Sequence, residues 1–319
     1  MNKKRVLAML LAGAMALSMT ACGGNSASTD GSSNDGGASA SGGSYKVRVI
    51  LKTLAAEYWQ YVKSGAEDYA SEHSDKVTVA VKGPSSEPAF AEMQNMIETD
   101  RSSGSYAGVI ISPLQSDTAA QLVSGTKLPI VAIDTNFTAP EVKSFVGTGN
   151  EAAAKKGGEA AVEAAKAAGW TDIKCIEIAG VQGDQTNTAR MNGYKAGVEE
   201  AGGTFLSDEV QYADATADRA TTAMEAIMQT HPEGIAIICA NNDDMAMAAA
   251  RAAQGHDAYK NTIFLGFNGD RAACEAILAG QMTMSVAQMA YEMGYKAVET
   301  MVQVLEGEPV DAFVDSGSD

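Results

Sequence analysis

The sequence has little positive charge. Its 319 residues hold 23 Lys and Arg against 40 Asp and Glu, a formal charge of −17 at pH 7. Proteins that grip nucleic acid neutralise phosphates with basic patches, so a nucleic-acid partner is excluded. Histidine is scarce: His73, His231 and His256 lie far apart, with no Cys/His spacing that would hold a metal. Cysteine is scarce too. Beyond Cys22 there are Cys175, Cys239 and Cys274, an odd number, and two sit in apolar runs, which reads as buried free thiols rather than a disulfide framework. No G-x-S-x-G elbow, Walker loop or H-E-x-x-H helix occurs. The adjacent acids Glu199-Glu200 and Asp243-Asp244 read as solvated faces and caps, because neighbours in sequence do not face each other on a helix. No enzyme chemistry, metal or cofactor is implied by these residues.

One pattern argues for a cofactor. Gly147-Thr148-Gly149-Asn150-Glu151-Ala152 reads G-x-G-x-x-A after an extended run and before a helix, with Asp172 and Glu177 about where a ribose-binding acid belongs. A lone fingerprint is weak. The same glycines also serve a backbone crossing that needs their conformational freedom.

The N-terminus carries a strong signal. Lys3, Lys4 and Arg5 precede the apolar stretch VLAMLLAGAMALSM, too short for a comfortable membrane span. Met19-Thr20-Ala21-Cys22 follows and resembles the lipobox of a bacterial lipoprotein. That resemblance implies a signal peptide over 1–21 and lipidation at Cys22, with the protein held on the outer face of the cytoplasmic membrane or in the periplasm. The chain without residues 1–21 carries a formal charge of about −20. Residues 22–44 are Gly/Ser/Asn/Asp-rich, have almost nothing apolar to bury and read as a tether.

From Tyr45 onward strand-like and helix-like segments alternate. YKVRVILK, KVTVAVK, YAGVIIS, LPIVAID and VKSFVGTG read as strands, interleaved with helices such as EYWQYVKSGAEDYASE and EPAFAEMQNMIETDRSS, the second opened by Pro88. A second series starts at Asn150, with strands IKCIEIAG, TFLSDEVQY, IAIICA, NTIFLGFN and QMTMSVAQ, and a possible last strand in DAFVDS. About ten strands exceed one comfortable sheet, so the expectation is two α/β lobes with parallel sheets.

The stretch IAIICANNDDMAMAAARAA shows where function would sit. It reads as a buried strand, a tight turn and an Ala/Met-rich helix. Asp243 or Asp244 is expected to cap that helix, leaving Asn241 and Asn242 at the carboxyl end of the strand, where open α/β sheets bind ligands. The same residues also read as a turn and a cap alone. Other strand ends add Lys52, Tyr58, Trp59, Ser112, Asp134, Thr135, Asp184, Thr188, Arg190, Asn268 and Gln288. An aromatic pair with amides, hydroxyls and a carboxylate suits a sugar ring, whose C–H face packs on aromatics and whose hydroxyls need planar polar partners. Trp59 also fits a helix core, and Arg190 an ion pair inside a lobe.

The motifs ILKTLAAEYW, VIISPLQSD, IVAIDTNF, TARMNGY, IICANNDDMAMAA, FLGFNGD and SVAQ, in that order, resemble type I periplasmic sugar-binding proteins, the ribose-binding subgroup most of all. The resemblance spans residue 45 to about 315. It implies two doubly wound parallel-sheet lobes joined by three crossings, with 45–146 and 289–312 forming the first lobe and 147–288 and 313–319 the second. It implies a monosaccharide, pentose or hexose, held between the lobes and passed to an ABC permease. A receptor feeding a membrane sensor is the alternative. The family's contact positions fall on Lys52, Tyr58, Trp59, Ser112, Asp134, Thr135, Thr188, Asn242, Asn268 and Gln288, with Arg190 beside the position where Thr188 replaces an arginine. Thr135 and Asn268 also differ from the ribose binders, which implies another sugar or a sugar-like molecule. The tail reads as a few residues short of the family's length.

Overall fold

The computed structural model describes residues 43–319. The expected signal peptide, Cys22 and all but the end of the tether lie outside them. No helix among the described residues is long and apolar enough to cross a membrane.

The first lobe begins with β1 (Tyr45–Ile50), α1 (Glu57–Glu72), β2 (Val77–Lys82), α2 (Phe90–Ser102), β3 (Gly108–Ile111), α3 (Ser116–Val123), β4 (Ile130–Ile133) and β5 (Val142–Gly147). The second holds α4 (Asn150–Ala167), β6 (Lys174–Ala179), α5 (Gln185–Glu200), β7 (Thr204–Phe205), β8 (Gln211–Tyr212), α6 (Ala217–Thr230), β9 (Ile237–Ala240), α7 (Asp243–Ala252), β10 (Ile263–Asn268), α8 (Arg271–Leu278) and β11 (Met284–Ala287). The chain then returns to the first lobe for α9 (Ala290–Glu306) and β12 (Phe313–Asp315).

Each lobe is built on a parallel sheet. The strand order is β12-β5-β4-β3-β1-β2 in one and β11-β10-β9-β6-β7 in the other, with β8 also on β6. Strands β3, β4 and β9 are buried along their whole length, because helices cover both faces of each sheet. Apolar clusters accordingly lie on both sides: Val47, Val49, Trp59 and Met301 on one face of the first sheet, and Ile50, Ile97, Ile111 and Phe137 on the other. Both sheets are right for two doubly wound lobes.

Helices α1 and α9 approach closely through glycine. A β-carbon added at Gly65 would collide with the Tyr291 carbonyl, and one at Gly294 with the Val62 carbonyl. This crossing seats the first turn of α1, which carries Tyr58 and Trp59.

Three crossings join the lobes, at Gly147–Asn150, Ala287–Ala290 and after Asp315. They lie side by side: the Ser316 amide donates to the Gly147 carbonyl at 2.8 Å, Ala287 and Asp319 exchange backbone bonds at 2.8 and 3.0 Å, and Gln288 bridges to Ser318. The expected second-lobe placement of 313–319 therefore needs correction. Phe313–Asp315 pair with Phe145–Gly147 as the edge strand of the first sheet, and only the residues after Asp315 run to the second lobe.

Two further expectations change. TFLSDEVQY is not one strand: Ser207–Glu209 wind into a 3₁₀ turn, leaving the two-residue strands β7 and β8. Pro88 lies in a turn ahead of α2 rather than in its first turn, and the helix starts at Phe90. Cys175 and Cys239, on neighbouring strands β6 and β9, are buried free thiols with their sulfurs 3.2 Å apart, while Cys274 on α8 is exposed.

Candidate binding cleft

The carboxyl ends of both sheets face one cavity of about 250 Å³. Each lobe supplies part of the wall. From the first come Lys52 and Thr53 after β1, Tyr58 and Trp59 at the start of α1, and Asp134 after β4. Residues 52, 58, 59 and 134 are all nearly sealed from solvent. Tyr58 and Trp59 meet edge to face, with ring centroids 4.9 Å apart, and both also join the apolar cluster beneath α1. Core and cleft are thus the same surface for these rings. The Tyr58 hydroxyl donates to Asp134 Oδ1 at 2.9 Å, and Trp59 Nε1 donates to Glu87 Oε1 at 3.0 Å. Each polar handle is fixed by a carboxylate.

The second lobe contributes Arg190 from α5, Asn241 and Asn242 after β9, and Asn268 after β10. Arg190 is buried, yet it forms no ion pair among the described residues. Its Nε donates to Asn150 Oδ1 at 2.8 Å, its Nη1 donates to the Asn241 carbonyl at 2.7 Å, and its face lies 3.8 Å from the Phe267 ring centroid. Stacking and neutral acceptors hold the guanidinium in place.

The expected cap of α7 is corrected. Asn242, not Asp243 or Asp244, accepts from the Met245 amide at 2.9 Å, and its amide nitrogen donates to the Ala215 carbonyl at 3.2 Å. Asn242 is both cap and cleft wall. Asp243 turns inward to accept from the Asp270 amide at 2.9 Å and the Ser285 hydroxyl at 2.6 Å. Burial raises Asp243 to about 6, and burial with the Asp243 charge raises Asp270 to about 7.

Three cleft residues hold the left-handed backbone that side chains disfavour: Asp134 at φ 62°, Ala215 at φ 58° and Asn268 at φ 140°. Such strain persists where surrounding structure enforces it, and it collects at ligand clamps.

The lobes touch on several sides of the cavity. Lys52 of the first lobe pairs with Asp184 of the second and lies 3.7 Å from Asp134. Asp184 also caps α5, accepting from the Thr186 and Asn187 amides. Thr135 donates to the Thr186 hydroxyl at 3.0 Å, and Thr186 donates to the Asp134 carbonyl at 2.9 Å. At one rim Glu57 accepts from Arg271 Nε at 3.2 Å, and at another the Gln185 amide donates to the Ser116 hydroxyl at 3.3 Å. The cleft is closed. Burial works to lower the Lys52 pKa, but Asp184, Asp134 and Glu87 outweigh it and hold the ammonium charged. Burial, helped by Asp134, lifts Tyr58 well above the usual phenol range.

Seven of the eleven expected contact residues line the cavity: Lys52, Tyr58, Trp59, Asp134, Arg190, Asn242 and Asn268. Four do not. Ser112 is buried behind the wall, and Thr135 ties Asp134 to Thr186. Thr188 is exposed and bonds the Asp184 carbonyl one turn back on α5. Gln288 sits in the hinge, accepting from Thr148 at 2.8 Å and donating to Asn268 Oδ1 at 3.0 Å. The wall also holds Glu87, Thr186 and Asp244, which sequence reasoning did not select. Asp184 had a legible signal in its capping position; Glu87, in the turn before α2, had none.

The dinucleotide reading fails on connectivity. Gly147 ends β5 in the first sheet, whereas α4 leads into β6 of the second, so no βαβ unit of a single sheet surrounds the glycines. Asp172 pairs with Lys174 at the surface, and Glu177 is fully buried. Among the described residues no group of three His, Cys, Asp or Glu is placed to hold a metal.

Comparison with known proteins agrees with this architecture. Residues 47–309 match the model of the periplasmic binding protein domain. The D-allose-binding periplasmic protein of Escherichia coli is 30% identical over 264 residues, covering 80% of this chain and 82% of the relative. The ribose import binding protein of the same organism is 27% identical over 270 residues, covering 83% and 86%. A solute-binding protein of Agrobacterium radiobacter, solved in complex with D-arabinose, superposes with a TM-score of 0.78 at 24% identity, covering 86% of this chain and 93% of that one. A D-fucose-bound solute-binding protein of Agrobacterium vitis gives 0.76 at 23%, covering 86% and 94%. The chain belongs to the periplasmic binding protein family, the substrate-binding proteins of ABC transporters, and is not an enzyme.

Proposed function

We propose that this protein captures a monosaccharide, pentose or hexose, in the closed cleft and delivers it to an ABC importer. The observation that carries this reading is the cavity of about 250 Å³ between the lobes, walled by Tyr58 and Trp59 on one side and by Arg190, Asn242 and Asn268 on the other. That volume lies just below the roughly 300–1,000 Å³ of pockets for larger ligands, so it favours one sugar ring. In this reading the aromatic pair takes the ring's apolar face, while Asp134, Arg190, Asn242 and Asn268 take hydroxyls from both lobes. Lys52 acts through Asp134 and Asp184, and Thr135 through Thr186. Ser112 and Gln288 shape the wall from behind, and Thr188 has no contact with ligand. The ribose and allose binders among its relatives support the class of solute.

Ligand that touches both lobes only when they are shut favours the closed form. That form presents both lobes at once to the permease. The family places the protein outside the cytoplasm. The basic N-terminus and Met19-Thr20-Ala21-Cys22 further support a lipid anchor at Cys22, with residues 23–44 as a tether between membrane and lobes.

The test is a thermal-shift screen of the purified protein against pentoses, hexoses, deoxy-sugars, polyols, nucleosides and NAD. Tight ligand raises the melting temperature by mass action. A shift with a monosaccharide supports the proposal; a shift with NAD alone, or with none of the sugars, overturns it. Mass spectrometry of the protein from membranes tests the anchor, which predicts a diacylglyceryl mass on a chain beginning at Cys22.

A further inference from the structure

Four side chains form a one-way chain of hydrogen bonds from the hinge to the cleft wall. The Thr148 hydroxyl donates to Gln288 Oε1 at 2.8 Å, Gln288 Nε2 donates to Asn268 Oδ1 at 3.0 Å, and Asn268 Nδ2 donates to Asp270 Oδ2 at 3.2 Å. Thr148 and Gln288 lie in two of the three crossings, Asn268 lines the cavity, and Asp270 precedes α8. The backbone beneath the last two is pinned: the Gly269 amide donates to Ser285 Oγ at 3.1 Å, and the Asp270 amide donates to Asp243 Oδ2 at 2.9 Å. Asp270 stands at the N-cap position of α8, where an aspartate ordinarily accepts from the helix's first amides. Among the described residues its side chain makes no such bond and turns back to Asn268 instead. Its carboxylate serves the chain and not the helix.

The direction of the chain follows from one charge. An ionised carboxylate only accepts, so Asn268 turns its amide nitrogen to Asp270 and its oxygen to Gln288. Gln288 must then donate, and its own oxygen turns to Thr148. Asn268 is left with one N–H and one lone pair, at fixed places, for the solute. A protonated Asp270 can donate, and the same chain can then run in reverse, exchanging donor and acceptor at Asn268. Resting on the proposed monosaccharide reading, we infer that Asp270, standing behind the cavity wall, is a positioning residue that sets through Asn268 which hydrogen-bonding group the second lobe offers the solute, so that tight binding requires the ionised Asp270 carboxylate.

The surroundings make this proton exchangeable near neutral pH. Asp243 and Asp244 face Asp270 from the start of α7 and Glu57 faces it from the start of α1; burial and these charges raise it to about 7. Arg271, the neighbouring cation on α8, is paired with Glu57 and Glu275. Closure therefore brings Glu57 near Asp270 together with its counter-charge. A solute that needs the ionised form lowers the Asp270 pKa and releases its proton on binding. Affinity is then highest above about pH 7 and falls as pH drops below it, by at most about tenfold per pH unit.

Isothermal titration calorimetry on the full chain in mild detergent tests this, at a series of pH values on either side of neutrality and in two buffers of different ionisation heat. The probes are D-ribose, D-allose, D-arabinose, D-fucose, D-glucose and D-galactose. The expected result is a sugar bound several-fold more tightly on the alkaline side than on the acid side, with release of a fraction of a proton near neutral pH. Asp270→Asn, which keeps size and removes charge, should lose most of the pH dependence and of the proton release. Gln288→Met breaks the chain on the hinge side and leaves Asp270 in place. It should weaken binding several-fold on the alkaline side and shrink the pH dependence. A parent affinity that does not change with pH, or a pH dependence that both variants keep in full, overturns this inference and leaves the monosaccharide reading intact. Binding of none of the sugars at any pH overturns both.

Discussion

Lys52 and Asp184 form an ion pair across the cleft, with side chains only 6% and 3% exposed. One residue follows the first strand of the first lobe and the other caps α5 of the second. The pair exists in this form only when the lobes are shut. Removing one partner of a buried pair leaves the other charge uncompensated, at a cost of about 3–5 kcal/mol.

Lys52→Met should therefore open the unliganded protein. Asp134 and Asp184 would be left without their cation, and the two lobes would separate to hydrate them. Small-angle scattering should show a larger radius of gyration without ligand, and adding Asp184→Asn should reverse most of the change. An unaltered radius in the single variant would mean that the remaining interlobe bonds hold the cleft closed alone.

Trp59→Ala and Asn242→Ala should each weaken sugar binding by roughly 1–3 kcal/mol, about ten- to a hundredfold, the first by removing the apolar surface under the ring and the second by leaving a ligand hydroxyl without its partner. They should differ in stability. Asn242 also caps α7, so its loss should cost about 1 kcal/mol in urea unfolding of the free protein. Unchanged calorimetric affinity in both variants would remove these residues from the site.

Glu177 gives a pH dependence. It is fully buried, neither carboxylate oxygen has a partner among the described residues, and burial pushes it up to about 8 against the pull of Arg190. The folded protein keeps a proton that the unfolded chain releases near pH 4.3, as an ordinary glutamate does. Its contribution is fully present below that pH and is lost as pH rises to about 8, with a slope of at most about 1.4 kcal/mol per pH unit. Glu177→Gln should flatten this decline and be more stable than the parent above pH 8, as read from urea midpoints at a series of pH values.

Gly294→Ala should separate α9 from α1, because the new methyl group meets the Val62 carbonyl. Overpacking of this kind costs about 1–3 kcal/mol. Since α1 carries Tyr58 and Trp59, weaker sugar binding should accompany the lower melting temperature. An alanine that lowers stability but leaves affinity intact would show that the start of α1 is held by Asp134 and Glu87 alone.

Local pattern made the alternating strands and helices legible, together with most of the residues at strand ends. Long-range pairing was not legible. DAFVDS could be read as a strand, but its partner β5 lies some 170 residues earlier, and nothing in its three residues chooses between the sheets. The capping role of Asn242 was open because Asn and Asp serve equally well at that position. Glu87 stayed hidden because its role depends on Trp59, brought near by the fold of α1. Asp184 was visible as a residue but not as an interlobe partner, since only closure brings Lys52 to it. Thr135 and Gln288 were placed at the right strand ends; whether a side chain there faces ligand or hinge depends on φ at Asp134 and on the course of the crossings.

The three crossings also set an order of assembly. The second lobe is one uninterrupted run of chain from α4 to β11, whereas the first waits for α9 and β12. Tyr45 and Leu305, 260 residues apart, meet in the finished molecule. During synthesis the early strands of the first lobe therefore emerge long before the helix that covers them. Contacts so distant in sequence form slowly, so closing the helix layer of the first lobe is the expected late step of folding.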